Sequence, residues 1–206
     1  MEKTRIWLVR HAQTQAPHLF HGYESDIDLS ELGKRQAQHL APVLASYQPD
    51  FIFSSGMKRA MQTATPVAQL CQLPLHIELA LHERKLGSLA GTPTQLELGI
   101  APDTLRHWQE GDLHYATHGS ESLYQLRLRL TPAWEKITSV SKGRSAVVIC
   151  HGIVCRVLLM TMVQGLSLAD WTRIGPIANT SISELEGNGS DWHARLIAKV
   201  PPEIPR

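Results

Sequence analysis

The sequence predicts an α/β fold of three layers, α/β/α, around a mostly parallel central sheet that ends in a C-terminal antiparallel hairpin. Three observations point there. Short apolar runs rich in β-formers, Ile6-Trp7-Leu8-Val9, Phe51-Ile52-Phe53 and Ala146-Val147-Val148-Ile149-Cys150, read as strands buried on both faces. Stretches with apolar residues at helical spacing lie between such runs, which is the alternation of βαβ units. Asn188-Gly189 separates two final strand-like segments, and Asn-Gly is a hairpin-turn signal.

In chain order, the first strand delivers Arg10, His11 and Thr14 past its carboxyl end, where open parallel sheets collect ligands. Residues 15 to 29 hold Pro17 and Gly22 without periodicity and form a loop whose His18, His21 and Tyr23 could line a pocket mouth. Ser30 suits the N-cap of a helix whose Leu32, Ala37, Leu40, Ala41 and Leu44 repeat on one face and which ends near Tyr47-Gln48-Pro49. The strand at Phe51 ends in Ser54-Ser55-Gly56. A second helix spans about Met57 to Cys71, past Pro66, and Leu75 to Leu79 gives a third strand.

Residues 84 to 120 interrupt this pattern with glycines or prolines at 87, 91, 93, 99 and 102 and a short helical candidate, Pro102 to Gln109. They read as a lid-like insertion, whose Arg84, Arg106 and His107 could line a pocket mouth. Leu123, Leu126, Leu130, Trp134 and Ile137 mark one face of a helix, leaving Arg127 and Arg129 on its other faces, most simply solvated. The strand Ala146 to Cys150 hands over to a helix from about Ile153 to Val163. Thr180 to Leu185 and Trp192 to Val200 are the hairpin strands, and the Pro-rich tail 201–206 is expected to be extended or frayed.

A chain of 206 residues is long enough for one well-cored domain, here residues 1–200. Its 20 Lys and Arg nearly cancel 19 Asp and Glu, so the net charge suggests neither nucleic acid nor an anionic membrane as partner. Any anion site must be a local cluster. Cys71, Cys150 and Cys155 suit reduced core thiols in a cytoplasmic protein better than a disulfide framework. The N-terminal apolar run is too short for a signal peptide. Ala146 to Val163 is about as long as a bilayer-spanning helix, but His151 and Arg156 within it and the break at Gly152 favour a buried strand followed by a buried helix.

Two strands end alike, Val9-Arg10-His11 and Ile149-Cys150-His151-Gly152, and Arg59 opens the helix after the Ser54-Ser55 strand end. One sheet edge then carries two histidines and two arginines, whose guanidinium forks form a natural receptor for a tetrahedral dianion such as phosphate. His114-x-x-x-His118 and Cys150-x-x-x-x-Cys155 make a looser pattern, a metal site without its remaining partners.

Beyond these, Leu8-Val9-Arg10-His11 with Thr14, Asp26 to Gly33 and Ser54-Ser55-x-x-x-Arg59-Ala60-x-Gln62-Thr63-Ala64 form the first half of an ordered set. Leu81-x-Glu83-x-x-x-Gly87-x-x-x-Gly91, Gly119-Ser120-Glu121-Ser122, His151-Gly152 and Asn179-Thr180-Ser181 complete it. In this order the set resembles the phosphoglycerate mutase-like histidine phosphatases over nearly the whole chain. The resemblance implies a covalent phosphohistidine on His11, whose neutral imidazole would be oriented through its other nitrogen by a backbone carbonyl. Arg10, Arg59 and His151 would hold the phosphoryl oxygens, with Thr14, Gln13, the Gly152 N–H and the Thr180 backbone N–H as further donors.

Glu83 would protonate the leaving oxygen and then act as base for water, a bound dianion nearby favouring the protonated carboxyl. Glu121 either braces the site or is a carboxylate at a helix N-terminus. No metal and no other cofactor is implied. The chain departs from the family's commoner pattern at Ala12-Gln13 in place of Gly-Glu, at Pro17 in place of Asn and at Ala90 in place of Glu. These positions bear on substrate contacts and leave the nucleophile's surroundings intact.

The reading is a metal-independent histidine acid phosphatase-type hydrolase of small phosphorylated metabolites. A phosphoglycerate mutase-type transfer is the nearest alternative, disfavoured because the insertion is short for excluding water from a phosphoenzyme. A non-catalytic phospho-ligand binder is the other, disfavoured because binding alone would not need both His11 and Glu83. Neither the substrate nor the oligomeric state follows from the sequence.

Overall fold

The computed structural model describes residues 3–93, 100–117 and 119–206. Gly99 of the insertion and His118 of the metal pattern lie outside the described residues. Strands β1 (Thr4–Arg10), β2 (Phe51–Ser54), β3 (Leu75–Ile77), β4 (Ser145–Cys150), β5 (Ile182–Asn188) and β6 (Asp191–Lys199) form one sheet in the order β3-β2-β4-β1-β5-β6. The chain runs outward from β1 to β2 and β3, then returns to fill the gap between β1 and β2 with β4. β1, β2 and β3 run parallel to their neighbours in this half, while β5 is antiparallel to β1 and β6 to β5.

Alternate residues of the strands face two cores. Trp7, Val9, Val147 and Ile149 pack against helices α1 (Glu31–Ser46) and α2 (Lys58–Cys71), through Leu40, Leu44, Ala60, Ala64 and Val67. Ile6, Leu8, Ala146 and Val148 face α4 (Leu123–Val140) and α5 (Gly152–Met162), with Leu126, Leu130, Trp134, Val154 and Leu158. Val147, Val148 and Ile149 have no exposed surface, and each such side chain contributes about 1.5–3 kcal/mol on burial. Hydrophobic patterning at period 2 on the strands and 3.6 on the helices therefore produces the three-layer α/β fold, as expected.

Ser30 caps α1, its Oγ accepting from Gly33 N–H at 3.0 Å. Ser122 and Gln125 form a reciprocal capping box on α4. Within the insertion, α3 (Pro102–Gln109) buries Leu105 and Trp108 in the α4–α5 core, so this part packs as a wall. A short α6 (Trp171–Ile174) precedes β5.

Four expectations need correction. β3 stops at Ile77, because Glu78 accepts from Ala80 N–H and starts a single 3-10 turn, Leu79–Leu81. β5 starts at Ile182 rather than Thr180, whose φ of 59° lies in the left-handed region and cannot continue a strand. The tail is not frayed: Ile204 is buried in the α1–α2 core and Gln36 Nε2 donates to Pro205 O at 3.0 Å. Arg129 is not simply solvated, for its guanidinium pairs with Glu121 at 2.7 Å, and Arg127 Nε donates to Thr161 Oγ1 at 3.3 Å.

Candidate active site

Three parallel strands end side by side at the carboxyl edge of the sheet. The ladder continues one residue beyond them, His11 N–H donating to Cys150 O and Ser55 N–H to Ile149 O, both at 2.9 Å. Register thus sets His11, His151 and Ser55 in a row. The two imidazole rings meet edge to face with centroids 5.0 Å apart.

His11 is 5 % exposed, and its Nδ1 lies 2.7 Å from Ala12 O. A carbonyl can only accept, so Nδ1 carries the ring proton and Nε2 keeps its lone pair. Burial, then the fields of Arg59 and Arg10, hold this imidazole well below its ordinary pKa, against the raising effect of the Ala12 carbonyl. His151 is lowered in the same way by burial and Arg59. Its Nδ1 accepts from Arg59 Nε–H at 3.2 Å, which leaves the proton on Nε2, 2.8 Å from Ser55 Oγ. At neutral pH the site therefore holds two uncharged rings of defined tautomer beside two guanidinium groups.

The backbone around His11 is tied on three sides. Ala12 N–H donates to Thr63 Oγ1 at 3.0 Å, Asn179 Nδ2 to His11 O at 2.9 Å, and Thr180 N–H to Arg10 O at 3.0 Å. Thr63 lies one turn after Arg59 on α2 and donates in turn to Arg59 O. The Thr180 N–H, expected as a phosphate donor, is therefore engaged with the chain itself.

Arg10 Nη1 donates to Ile177 O, whereas its Nε is buried and finds no hydrogen-bond acceptor among the described residues. A Cβ at Gly152 would lie 3.4 Å from that Nε, so glycine at the start of α5 lets the helix end approach the guanidinium closely. An unpaired buried N–H beside a helix N-terminus is a site that an anion can satisfy. Arg59 is fully buried. Its Nη1 donates to Ser25 O at 2.6 Å and its Nη2 to His21 O and Gly22 O at 3.3 Å, so in this structure its fork holds the loop before α1. Burial pushes its pKa down to about 10 against the opposing pull of Glu83 and Asp26.

Glu83 reaches the same edge from the segment after the Leu79–Leu81 turn and is 8 % exposed. Its Oε1 accepts from Arg84 N–H at 2.8 Å and its Oε2 from Ile153 N–H, in the first turn of α5, at 3.2 Å. Its charge supports both Arg10 and Arg59. His11, His151, Arg10, Arg59, Glu83 and Gly152 thus converge.

The remaining sequence candidates sit at the margin. Thr14 is buried in an isolated antiparallel bridge with Leu29. The Gln13 side-chain oxygen accepts from Ser30 Oγ at 2.8 Å, on the α1 side. Arg106 and His107 are engaged on and just after α3, with Glu110 and with the ring of Tyr115, and are not brought to the site. Arg84 is buried rather than at a pocket mouth. Among the described residues no group of three or more His, Cys, Asp or Glu could hold a metal ion, and no helix is long and apolar enough to cross a membrane.

Sequence reasoning assigned no role to Ser55, Gln62, Thr63, Asn179 or Gln36. Gln62 joins Leu29 N–H at 2.8 Å to Asp28 at 2.7 Å, and Gln36 Oε1 accepts from Gln13 N–H at 2.9 Å. Gln36 had a legible signal, being a polar residue on the buried stripe that holds Gly33, Ala37 and Leu40. The others stood inside the ordered motifs without a stated partner.

The chain is 32 % identical over 198 residues to a glucosyl-3-phosphoglycerate phosphatase of Mycolicibacterium vanbaalenii, covering 91 % of this chain and 86 % of that one. It is 32 % identical over 197 residues to a metal-independent phosphoserine phosphatase of Arabidopsis thaliana, covering 93 % and 79 %. A solved complex of mycobacterial glucosyl-3-phosphoglycerate phosphatase with inorganic phosphate superposes with a TM-score of 0.78 at 28 % identity, over 95 % of this chain and 97 % of that one. Residues 6–199, which carry every converging side chain described above, match the family model, and the chain belongs to the histidine phosphatase superfamily, branch 1.

Proposed function

We propose that this protein is a metal-independent phosphomonoester hydrolase that works through phosphohistidine on His11. The observation that carries the reading is the state of His11: buried, neutral, with Nδ1–H fixed on Ala12 O and Nε2 left as a nucleophile. In the first step the Nε2 lone pair forms a bond to phosphorus, the ester P–O bond breaks, and Glu83 gives its proton to the leaving oxygen. In the second, the Glu83 carboxylate takes a proton from water, the water oxygen attacks phosphorus, and the P–N bond breaks to release phosphate. Arg10, through its unpaired Nε–H, supplies a donor and Arg59 a positive field where charge spreads over the phosphoryl oxygens, and the Nε2–H of His151 joins them by turning from Ser55 Oγ, its partner in this structure. The imidazole is itself the nucleophile, so no metal is needed to generate one.

The phosphatase names of the relatives support hydrolysis, and the substrates in those names support a small phosphorylated metabolite. Three free cysteines, two of them buried with Sγ atoms 3.3 Å apart, suit the cytoplasm. Purified protein releases p-nitrophenol from p-nitrophenyl phosphate, and His11→Ala reduces this to the uncatalysed background. Wild type no faster than the variant refutes the reading.

A further inference from the structure

We propose that Glu121 and Arg129 are positioning residues, an ion pair that clamps the segment bearing Glu83 and so sets the reach of its carboxyl toward the leaving group. The inference rests on the donor role given to Glu83 above. Glu83 lies in an irregular stretch between two single 3-10 turns, Leu79–Leu81 and Gly87–Leu89, where no helix or strand ladder fixes its Cα. Its placement has to come from elsewhere.

Met57 Sδ accepts from Glu83 N–H at 3.5 Å, Tyr23 N–H donates to Arg84 O at 3.1 Å and Glu24 accepts from Leu86 N–H and Gly87 N–H, but the contacts on both sides of Glu83 come from the Arg129 side chain and from the side chain and backbone of Glu121. Arg129 grips Glu121 bidentately, Nε to Oε1 at 2.7 Å and Nη2 to Oε2 at 2.9 Å. The rest of the same fork reaches the donor segment, Nη1 donating to Ala80 O and Nη2 to Glu83 O at 3.4 Å. Glu121 holds the far side: its Oε2 accepts from Lys85 N–H at 3.3 Å, its own N–H donates to Lys85 O at 2.9 Å, and its carbonyl accepts from Arg84 Nε at 2.7 Å. The peptide is thus held before, at and after Glu83.

The pair is 24 % and 15 % exposed, so water screens it only partly, and a bidentate arginine adds direction to strength. Arg129 stands on α4, whose Leu126, Leu130 and Trp134 are locked in the core, so the clamp is referred to a rigid element. A planar fork can serve Glu121 and two carbonyls at once, which a lysine cannot.

The test uses leaving groups. The ratio kcat/KM covers only the steps up to leaving-group departure. An alkoxide departs poorly without a proton, whereas p-nitrophenolate departs unaided. Values of kcat/KM are measured for phosphoserine, glycerol 2-phosphate and p-nitrophenyl phosphate in wild type, Glu83→Gln, Arg129→Met, Arg129→Lys and Glu121→Gln, with a thermal midpoint for each.

The clamp predicts a loss of about tenfold or more on the alkyl phosphates and less than about threefold on p-nitrophenyl phosphate in Arg129→Met, with partial recovery in Arg129→Lys. Glu121→Gln shows the same contrast more weakly and carries the test if Arg129→Met does not fold. Equal losses on all substrates, or none, in these variants while Glu83→Gln keeps the contrast overturns the clamp alone. Equal losses in Glu83→Gln itself overturn the donor role, and the clamp with it. A wild type that cleaves p-nitrophenyl phosphate and neither alkyl phosphate overturns the donor role and the clamp, and one that cleaves none of the three overturns the hydrolase reading.

Discussion

At the residue scale, the proposed chemistry depends on keeping two histidines uncharged beside two arginines. His11 and His151 both have pKa values depressed by burial and by Arg59. Below about pH 6.5 the unfolded chain therefore binds protons that the folded chain refuses, and stability falls as pH falls. Each ring removes about 1.4 kcal/mol per pH unit until its own folded pKa is reached. Urea unfolding without phosphate at pH 7.5 and 5.5 shows this as a falling midpoint, and His11→Asn flattens the slope by close to one proton; a midpoint unchanged between the two values contradicts the depressed pKa. The pair His11 and His151 and both arginines were legible in the sequence, because each stands at or just after the end of a strand that its own apolar run marks. Thr63 and Asn179 were not, since their partners, Ala12 N–H and His11 O, lie 51 and 168 residues away in sequence. The role of Arg129 was hidden for the same reason: helical periodicity says which face a residue leaves, and not what waits there.

At the element scale, the site is assembled where helix ends meet strand ends. A Cβ on Gly33 would stand 1.9 Å from Gln13 O, so the first turn of α1 rests directly on the backbone just after His11. Gly33→Ala must push this turn away, an overpacking that costs about 1–3 kcal/mol. A lower urea midpoint together with reduced kcat is the expected result, and an unchanged midpoint contradicts the contact. Element identity and order followed from hydrophobic period and turn residues, which is why the α1 cap at Ser30 and the Asn-Gly hairpin held. Boundaries failed where backbone conformation rather than composition decided them, as at left-handed Thr180 and at the Glu78-capped turn. The tail failed because three prolines argued for fraying while Ile204, the one apolar anchor among them, is buried.

At the scale of the whole molecule, one sheet edge gathers residues from β1, α2, the segment after β3, and the β4–α5 junction into the site proposed here for a phosphorylated metabolite. With 3-phosphoglycerate and a bisphosphoglycerate primer the protein is expected to release phosphate, and rapid isomerisation with little free phosphate would favour a mutase instead. The central claim is the covalent step on His11, and it is tested most directly by trapping. Protein mixed with excess p-nitrophenyl phosphate is quenched in alkali, where phosphohistidine survives, and the peptide containing residue 11 is weighed by mass spectrometry. A phosphoryl group on His11 that vanishes on acid treatment is the predicted result. Turnover with no phosphate on His11, or with phosphate on another residue, contradicts the account.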